Sequence, residues 1–510
     1  MKAKQISLYT AMVVLGGSVA VSCTKLDQKV YSVAQAENFW QTPEQVAAGL
    51  APAYQALTNI PDGDVDQLND ISGGAVIVPT RGNDWYDNGS WQAIWTHNWK
   101  ADLGNINGAW SAIFNGIGKA NFTLSVVNAL STKPANIDAI NAELKVLRAY
   151  YYYLAMDMFG QVPIVTDFNT DPSTVKNDKS RSEIFNFIES ELKANIDALP
   201  TDVNAATYGR LTKWAGYMIL AKLYLNAQVY TGTPRWADCI AACDVVINSG
   251  KYSLSSNYFD NFIVKNDNST ENIFVVPFDK VYIGNMNWEM QTLHYQHNLK
   301  YNLSGQPWNG FCSTADYYDQ FDDADRRKQM FLVGQQFDAQ GNPIKDAQTG
   351  LPLKISKYVN ELSNPADSFR LAGARNVKYQ PEAGTAGNQS NDMVLFRLAD
   401  AYLMKAEAEL RSSTNLSDAV SNVNLIRERA YGDATHDWTL ADLTLENLYH
   451  ERSREMAWEG WARQDAIRFG HFGDARFPGK NADADAHLQI FPIPAPQISS
   501  NPNLQQNPGY

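Results

Sequence analysis

The segment Thr80 to Trp99, TRGNDWYDNGSWQAIWTHNW, gathers side chains whose types and spacing suit the binding of something other than protein. Sugars present apolar C–H faces flanked by hydroxyls, so a site for them needs flat aromatic surface beside planar polar groups that can bond two hydroxyls at once. Trp85, Tyr86 and Trp91 with Arg81, Asp84 and Asn88 supply that mixture. The competing reading is a core cluster, because Trp85, Trp91, Trp95, Trp99 and Trp110 fall within 26 residues and Trp91, Trp95 and Trp99 have helical spacing. Core burial suits Trp95, Trp99 and Trp110, whereas Trp85 and Tyr86, set among Gly, Asn and Asp, are open to either reading. A second candidate is Val281 to Phe311, a loop-rich stretch carrying Tyr282, Asn287, Trp288, Tyr295 and Trp308.

Groups able to make or break bonds are harder to find. Glu451, Glu455 and Glu459 are four apart, and a glycosidase would need two such acids across a cleft with shifted pKa values. Arg452, Arg454, Arg463 and Arg468, with Asp465, are interleaved with them, which favours an ion-pair network pinning a helix. His294 and His297 form an H-x-x-H without a third ligand, the pattern of ordinary histidines rather than of a metal site. Asn481, Asp483 and Asp485 resemble the start of a calcium loop but lack its later glycine and glutamate, so a solvated turn is expected. The chain has no G-x-S-x-G, Walker loop, H-E-x-x-H or dinucleotide fingerprint. The expectation is no catalytic residue, no metal and no cofactor.

The formal charge is −13, from 55 acidic and 42 basic residues with no basic block, which argues against a nucleic-acid partner. Four cysteines in 510 residues rule out a disulfide-dense scaffold; Cys239 and Cys243 read as small core residues of one helix. Cys23 closes an N-terminal segment with Lys2 and Lys4 followed by an uncharged apolar run from Ile6 to Val21. That is an export signal, expected over residues 1–22, with Cys23 as the site of lipidation. Two acyl chains give stable anchoring. An ordinary signal cut near Ser22 is the alternative, since Ala20 stands where lipoprotein signals usually carry Leu. No apolar stretch after Cys23 reaches the ~20 residues that span a bilayer.

Helical periodicity positions these candidates. Asn141 to Phe159 carries one apolar stripe ended by Gly160. Ser182 with Glu183 opens a helix that runs to Pro200. Leu211 to Tyr230 and Trp236 to Asn248 make a pair, followed late in the chain by Met393 to Arg411, Ser417 to Ala430 and Leu440 to Phe469. The expected fold is mainly α, a tetratricopeptide-like scaffold of helix pairs with long loops and a few short strands, in one domain over 23–510. Asp62 to Gly108 and Lys251 to Asn391 are rich in Gly, Asn, Pro and Asp; they are expected to be ordered loops without regular helices, with extended runs at Ile273 to Phe278 and Leu353 to Val359.

An ordered set of motifs adds to this reading. RLADAYLMKAEAEL (Arg397 to Leu410), VNLIRERA (Val423 to Ala430), ERSREMAWEGWARQDAIRFG (Glu451 to Gly470) and FPIPAPQISSNPNLQQNPGY (Phe491 to Tyr510) resemble the SusD/RagB family of outer-membrane lipoproteins. FWQT (Phe39 to Thr42), WSAIFNGIGKAN (Trp110 to Asn121) and LRAYYYYLAMDMFGQVPIV (Leu147 to Val165) match as well. The resemblance implies a lipid-anchored protein on the outer face of the outer membrane that captures a glycan and delivers it to a SusC-like TonB-dependent transporter. It also implies that the two loop regions build the ligand surface, with Tyr282, Trp288 and Trp308 contributing from the second. A surface glycoside hydrolase and a peptide-binding repeat protein are the alternatives.

Overall fold

The computed structural model describes residues 39–510, so Cys23 and the segment read as an export signal lie outside the described residues. Thr42 caps the first helix: its hydroxyl accepts the Gln45 N–H while the Gln45 side chain accepts the Thr42 N–H, opening α1 (Pro43–Gln55). Next come α2 (Asp64–Ser72), α3 (Ser90–Trp95), α4 (Gly104–Ala129) and α5 (Ile137–Phe159). They are followed by α6 (Arg181–Asn195), α7 (Lys213–Leu225) and α8 (Trp236–Ile247), and late in the chain by α9 (Leu398–Ser412), α10 (Leu416–Tyr431), α11 (Leu445–Glu455) and α12 (Ala462–Phe469). Helices pack on their successors, α4 on α5, α5 on α6, α7 on α8, α8 on α9 and α9 on α10, which makes a mainly α scaffold of helix pairs.

Several boundaries differ from expectation for physical reasons. Helix α2 lies inside the stretch expected to lack regular helix, because Val65, Leu68 and Ile71 recur at threefold spacing and Asp64 and Asp66 favour a helix N-terminus. Ser180, not Ser182, caps α6 in a capping box with Glu183. Helix α7 stops short of Tyr230 at Asn226, whose side chain bonds the Lys222 carbonyl at 2.9 Å and Gln464 at 3.0 Å. Helix α5 buries every residue from Val146 to Phe159, so it is a core helix covered on all sides, not a helix with one apolar stripe.

The strands are short and join distant segments. β1 (Thr80–Arg81) pairs parallel with β6 (Ser363–Asn364), and β2 (Asn272–Val276) pairs antiparallel with β8 (Met393–Arg397). β3 (Phe331–Leu332) pairs with β7 (Arg375–Asn376), and β4 (Gly334–Gln335) with β5 (Lys354–Ile355). Met393 to Arg397 is therefore strand where helix was expected: Met393, Val394, Leu395 and Phe396 are apolar enough for either, and the partner strand decides. The expected helix from Leu440 to Phe469 is likewise two. Trp458 (φ 57°) and Gly460 (φ 76°) turn the chain between α11 and α12, with Trp458 Nε1 donating to Ser313 Oγ at 2.9 Å and Gly460 N to Asp70 at 3.2 Å.

That turn completes a network of buried charge. Arg397 donates to Glu271, Glu455 and Glu459, and Arg327 to Asp325, Glu451 and Glu455. Arg429 joins Glu271 to Glu455, and Arg427 and Arg454 both reach Glu451. A second group places Arg452 between Asp400 and Asp465, with Arg468 on Glu407 and Asp465. Burial alone would raise Glu455, but Arg429, Arg397 and Arg327 outweigh it and hold it well below the carboxylate range; Arg327, Arg454 and Arg427 do the same for Glu451. The carboxylates considered for glycosidic chemistry are thus structural.

Asp62, Asp66 and Asp70 face the opposite situation, since none of them has an ion-pair partner among the described residues. Burial raises Asp62 and Asp70 to about 7, and burial together with repulsion from its two neighbours raises Asp66 well above the usual range. Two predictions follow from these environments. Arg397→Met strands the buried carboxylates it serves and is expected to cost about 3–5 kcal/mol in denaturant titrations. For the pH dependence, carboxylates with raised folded pKa values stabilise the fold below about pH 4, and that contribution is lost as pH rises through about 7. Stability, and with it the melting temperature, should therefore fall between about pH 4 and 7, by up to ~1.4 kcal/mol per pH unit for each such group. Asp70→Asn should flatten the decline; an unchanged slope would refute the assignment.

Candidate functional site

Strand β1 sets Thr80 opposite Ser363 and Arg81 opposite Asn364. Beyond it the chain turns through left-handed conformations at Gly82, Trp85 (φ 62°), Asp87 (φ 40°), Asn88 (φ 55°) and Gly89. For an L residue as large as tryptophan this costs ~1–2 kcal/mol, and the surroundings must hold it there. Trp85 Nε1 donates to the Trp308 carbonyl at 2.7 Å, and Trp91 Nε1 donates to the Asp87 carboxylate at 2.6 Å. The Trp85 ring lies 5.4 Å from the Phe311 ring and 5.9 Å from Trp91, centroid to centroid. Gly310 allows this approach, since a Cβ there would stand 2.3 Å from Trp85 Cε2.

Two loops thus meet here, with Trp85 and Tyr86 on one and Trp308 on the other. Trp85 is half-buried, while Tyr86 is 56% and Trp308 42% exposed. Trp308 is fixed by its N–H to the Met290 carbonyl at 2.6 Å and by Asn309 N to the Leu293 carbonyl at 3.0 Å. Polar groups flank the rings. The Tyr295 hydroxyl donates to the exposed Asp84 carboxylate, and the Arg370 guanidinium lies 4.2 Å over the Tyr295 ring. Burial, then the bond to Asp84, pushes Tyr295 up to about 12. Asn83 and Asn88 are exposed, and their amides form no side-chain hydrogen bond among the described residues.

The other expected residues go elsewhere. Arg81 is buried, because pairing with β6 turns it inward, where it donates to the Phe369 carbonyl at 2.8 Å and to Cys312 Sγ at 3.2 Å; it braces the site from beneath. Trp91 is buried and supports Trp85. Trp288 is core, packed on Tyr379 and Trp458 at 5.1 and 5.3 Å. Tyr282 is 86% exposed but borders a different cleft, lined by Leu50, Tyr54 and Arg210. His294 and His297 are both buried, and Asp483 is taken up by Lys480 and His97. Gly310 and Arg370 were not anticipated. Gly310 carried a turn signal in Trp308-Asn309-Gly310; Arg370 carried none.

Comparison with known proteins gives this arrangement a context. A profile described as "Starch-binding associating with outer membrane" matches residues 26–225, and the SusD family profile matches residues 355–510. The chain belongs to the SusD/RagB family. It is 28% identical to the starch-binding protein SusD of Bacteroides thetaiotaomicron over 414 residues, 72% of each chain. To a SusD-like protein of Bacteroides ovatus it is 27% identical over 458 residues, 82% of this chain and 74% of the other. Among solved SusD/RagB structures, a laminarin-binding SusD-like protein superposes with a TM-score of 0.73 at 22% identity, covering 92% of this chain and 100% of the other. Surface glycan-binding protein A from B. thetaiotaomicron in complex with laminarihexaose gives a TM-score of 0.73 at 19% identity, covering 91% and 99%.

Gly310→Ala tests how the surface is built. The added methyl must displace the Trp85 ring, so intrinsic fluorescence should shift and Trp85 should become more accessible to acrylamide quenching, with little change in far-ultraviolet circular dichroism. Unaltered quenching would show that the close approach does not position Trp85.

Proposed function

We propose that the protein is a glycan-binding lipoprotein of the outer membrane, anchored through Cys23 with its body facing outward, and that it passes captured glycan to a SusC-like TonB-dependent transporter. The observation that carries the binding reading is the Trp85–Trp308 pair, two indoles from loops more than 200 residues apart, one held in a strained conformation by the other's carbonyl. Strain kept at a half-buried aromatic beside unpaired amides fits a preorganised site for sugar rings. Trp85, Tyr86 and Trp308 would stack on C–H faces, with Asn83, Asn88 and Asp84 bonding hydroxyls.

The names of the relatives point the same way, toward starch and laminarin as ligands of those proteins. Binding without bond cleavage is supported by the acids themselves. Glu451, Glu455 and Glu459 are buried in the ion network, and at the candidate site Asp84 accepts a hydrogen bond from Tyr295 and Asp87 one from Trp91. A transporter as partner rests on the family assignment, and anchoring rests on the sequence around Cys23.

The test is affinity electrophoresis and calorimetry against starch, laminarin and other bacterial and plant glycans. Trp85→Ala and Trp308→Ala should each weaken the retained glycan about tenfold or more without lowering the melting temperature in proportion. Trp288→Ala should instead destabilise the fold by about 3–5 kcal/mol, as expected for a core aromatic. Undiminished retention by both surface variants, or release of new reducing ends by the wild type, would overturn the proposal.

A further inference from the structure

After α12 the chain forms a small hairpin in which Arg476 N and Lys480 N donate to each other's carbonyls at 2.9 and 3.0 Å. Trp95 Nε1 ties the hairpin down through the Pro478 carbonyl at 2.7 Å. Beneath it lies a cavity of about 150 Å³, separate from the Trp85–Trp308 surface and walled by the rings of Trp95, Tyr449 and Phe477. At ~30 Å³ per water this is room for about five waters or one small organic group. Phe477, 58% exposed, stands at the mouth. In the wall, Arg452 and Asp465 neutralise one another at 3.1 Å.

Arg476 is the charge without a direct partner, with Asp483 and Asp474 acting on it only at longer range. It has no carboxylate within ion-pair distance among the described residues. Its Nη2 donates to the Ser72 carbonyl at 2.6 Å and to His97 Nε2 at 2.8 Å, and its Nε is buried without a partner. His97 offers no counter-charge: burial, helped by Arg476, lowers it to about 4, so the ring is neutral at pH 7. Burial also pulls Arg476 down to about 10. The backbone is fitted to the guanidinium, for a Cβ on Gly74 (φ 90°) would stand 2.3 Å from Arg476 Nη1. Another wall carries an unmet acceptor, the buried Gln320 Oε1, with the exposed carboxylate of Asp316 at the rim.

We propose that this cavity binds a carboxylate that carries a neighbouring hydroxyl. The guanidinium takes the carboxylate, Gln320 accepts the hydroxyl hydrogen, Asp316 at the rim is open to a further hydroxyl, and the rings cover the C–H groups between them. Donor and acceptors are arranged for a ligand bearing both charge and hydroxyl, and a neutral polyol leaves Arg476 unanswered. Two sources share this chemistry: a free small hydroxy acid, and the carboxyl-bearing edge of an acidic sugar. The site does not depend on the aromatic surface, so either assignment can fail alone.

Calorimetry on the full chain with glycerate, D-glucuronate, glycerol and D-glucose decides the matter. At least one carboxylate should bind saturably and the neutral compounds should not. Arg476→Gln should weaken that binding about tenfold or more, as expected for loss of a charged hydrogen bond. Gln320→Leu, which leaves Arg476 and its partners in place, should weaken it severalfold and covers the case in which Arg476→Gln fails to fold. Binding of glucuronate alone assigns the acidic sugar; binding of glycerate, with or without glucuronate, assigns the free acid. Both variants should keep the glycan retention governed by Trp85 and Trp308. The proposal is overturned if neither carboxylate binds, if the neutral compounds bind as well, or if the variants bind the carboxylate like the wild type.

Discussion

A buried ion is costly to leave alone, and that constraint organises this protein. Removing a carboxylate or guanidinium from water costs several kcal/mol, recovered only when geometry and hydrogen bonding are nearly complete. Here the acids of α11 and of the turn after it meet basic side chains delivered by remote segments: Arg327 before β3, Lys378 after β7, Arg397 at the end of β8 and Arg429 from α10. Glu271, just before β2, closes the circuit through Arg397 and Arg429. The loop-rich region is thereby clamped to the helical scaffold at both ends and in its middle. The attachment is specific, because each guanidinium has one arrangement of acids that satisfies it.

From the clamp, position is handed outward. Next to Lys378, strand β7 carries Arg375, whose guanidinium donates to Asn309 Oδ1 at 2.7 and 3.1 Å and to the Arg370 carbonyl at 2.9 Å. Asn309 follows Trp308, and Arg370 covers Tyr295, so two sides of the aromatic surface are fixed by one buried side chain. Trp85 then docks on Trp308 and Phe311 from the other loop. Trp308 and Tyr86 are exposed, yet Arg375, Asn309 and Phe311 behind them are buried, an arrangement that keeps binding groups rigid without hiding them.

Much of the scaffold was legible because helix signals are local: the end of α5 at Gly160, the α9 and α10 helices and the buried Cys239 and Cys243 follow from nearby residues alone. What failed was decided at long range. Met393 to Arg397 became strand because β2 offered a ladder, and α11 ended early because Trp458 and Gly460 had partners in Ser313 and Asp70. At the candidate site, composition left Trp85 and Tyr86 open to either reading, and the structure exposes Tyr86 and half-buries Trp85. Composition could not separate them from Trp288 and Trp91, which sit in similar company and differ only in what packs over them. Arg81 illustrates the same limit: a two-residue strand turned it inward.

Asp70 of α2 accepts its hydrogen bond from the backbone of Gly460, 390 residues later, and Trp95 is anchored by Pro478 across 383. Contacts so far apart in sequence close slowly, because the entropy of the intervening loop is lost before the contact rewards it. The early helices therefore cannot reach their final packing while the chain is still being made. Until α11 and α12 arrive, α2 presents unpaired acids and bare apolar side chains, a form open to holding factors and slow to lock. Such a chain commits to its final packing late, only once its last helices are in place.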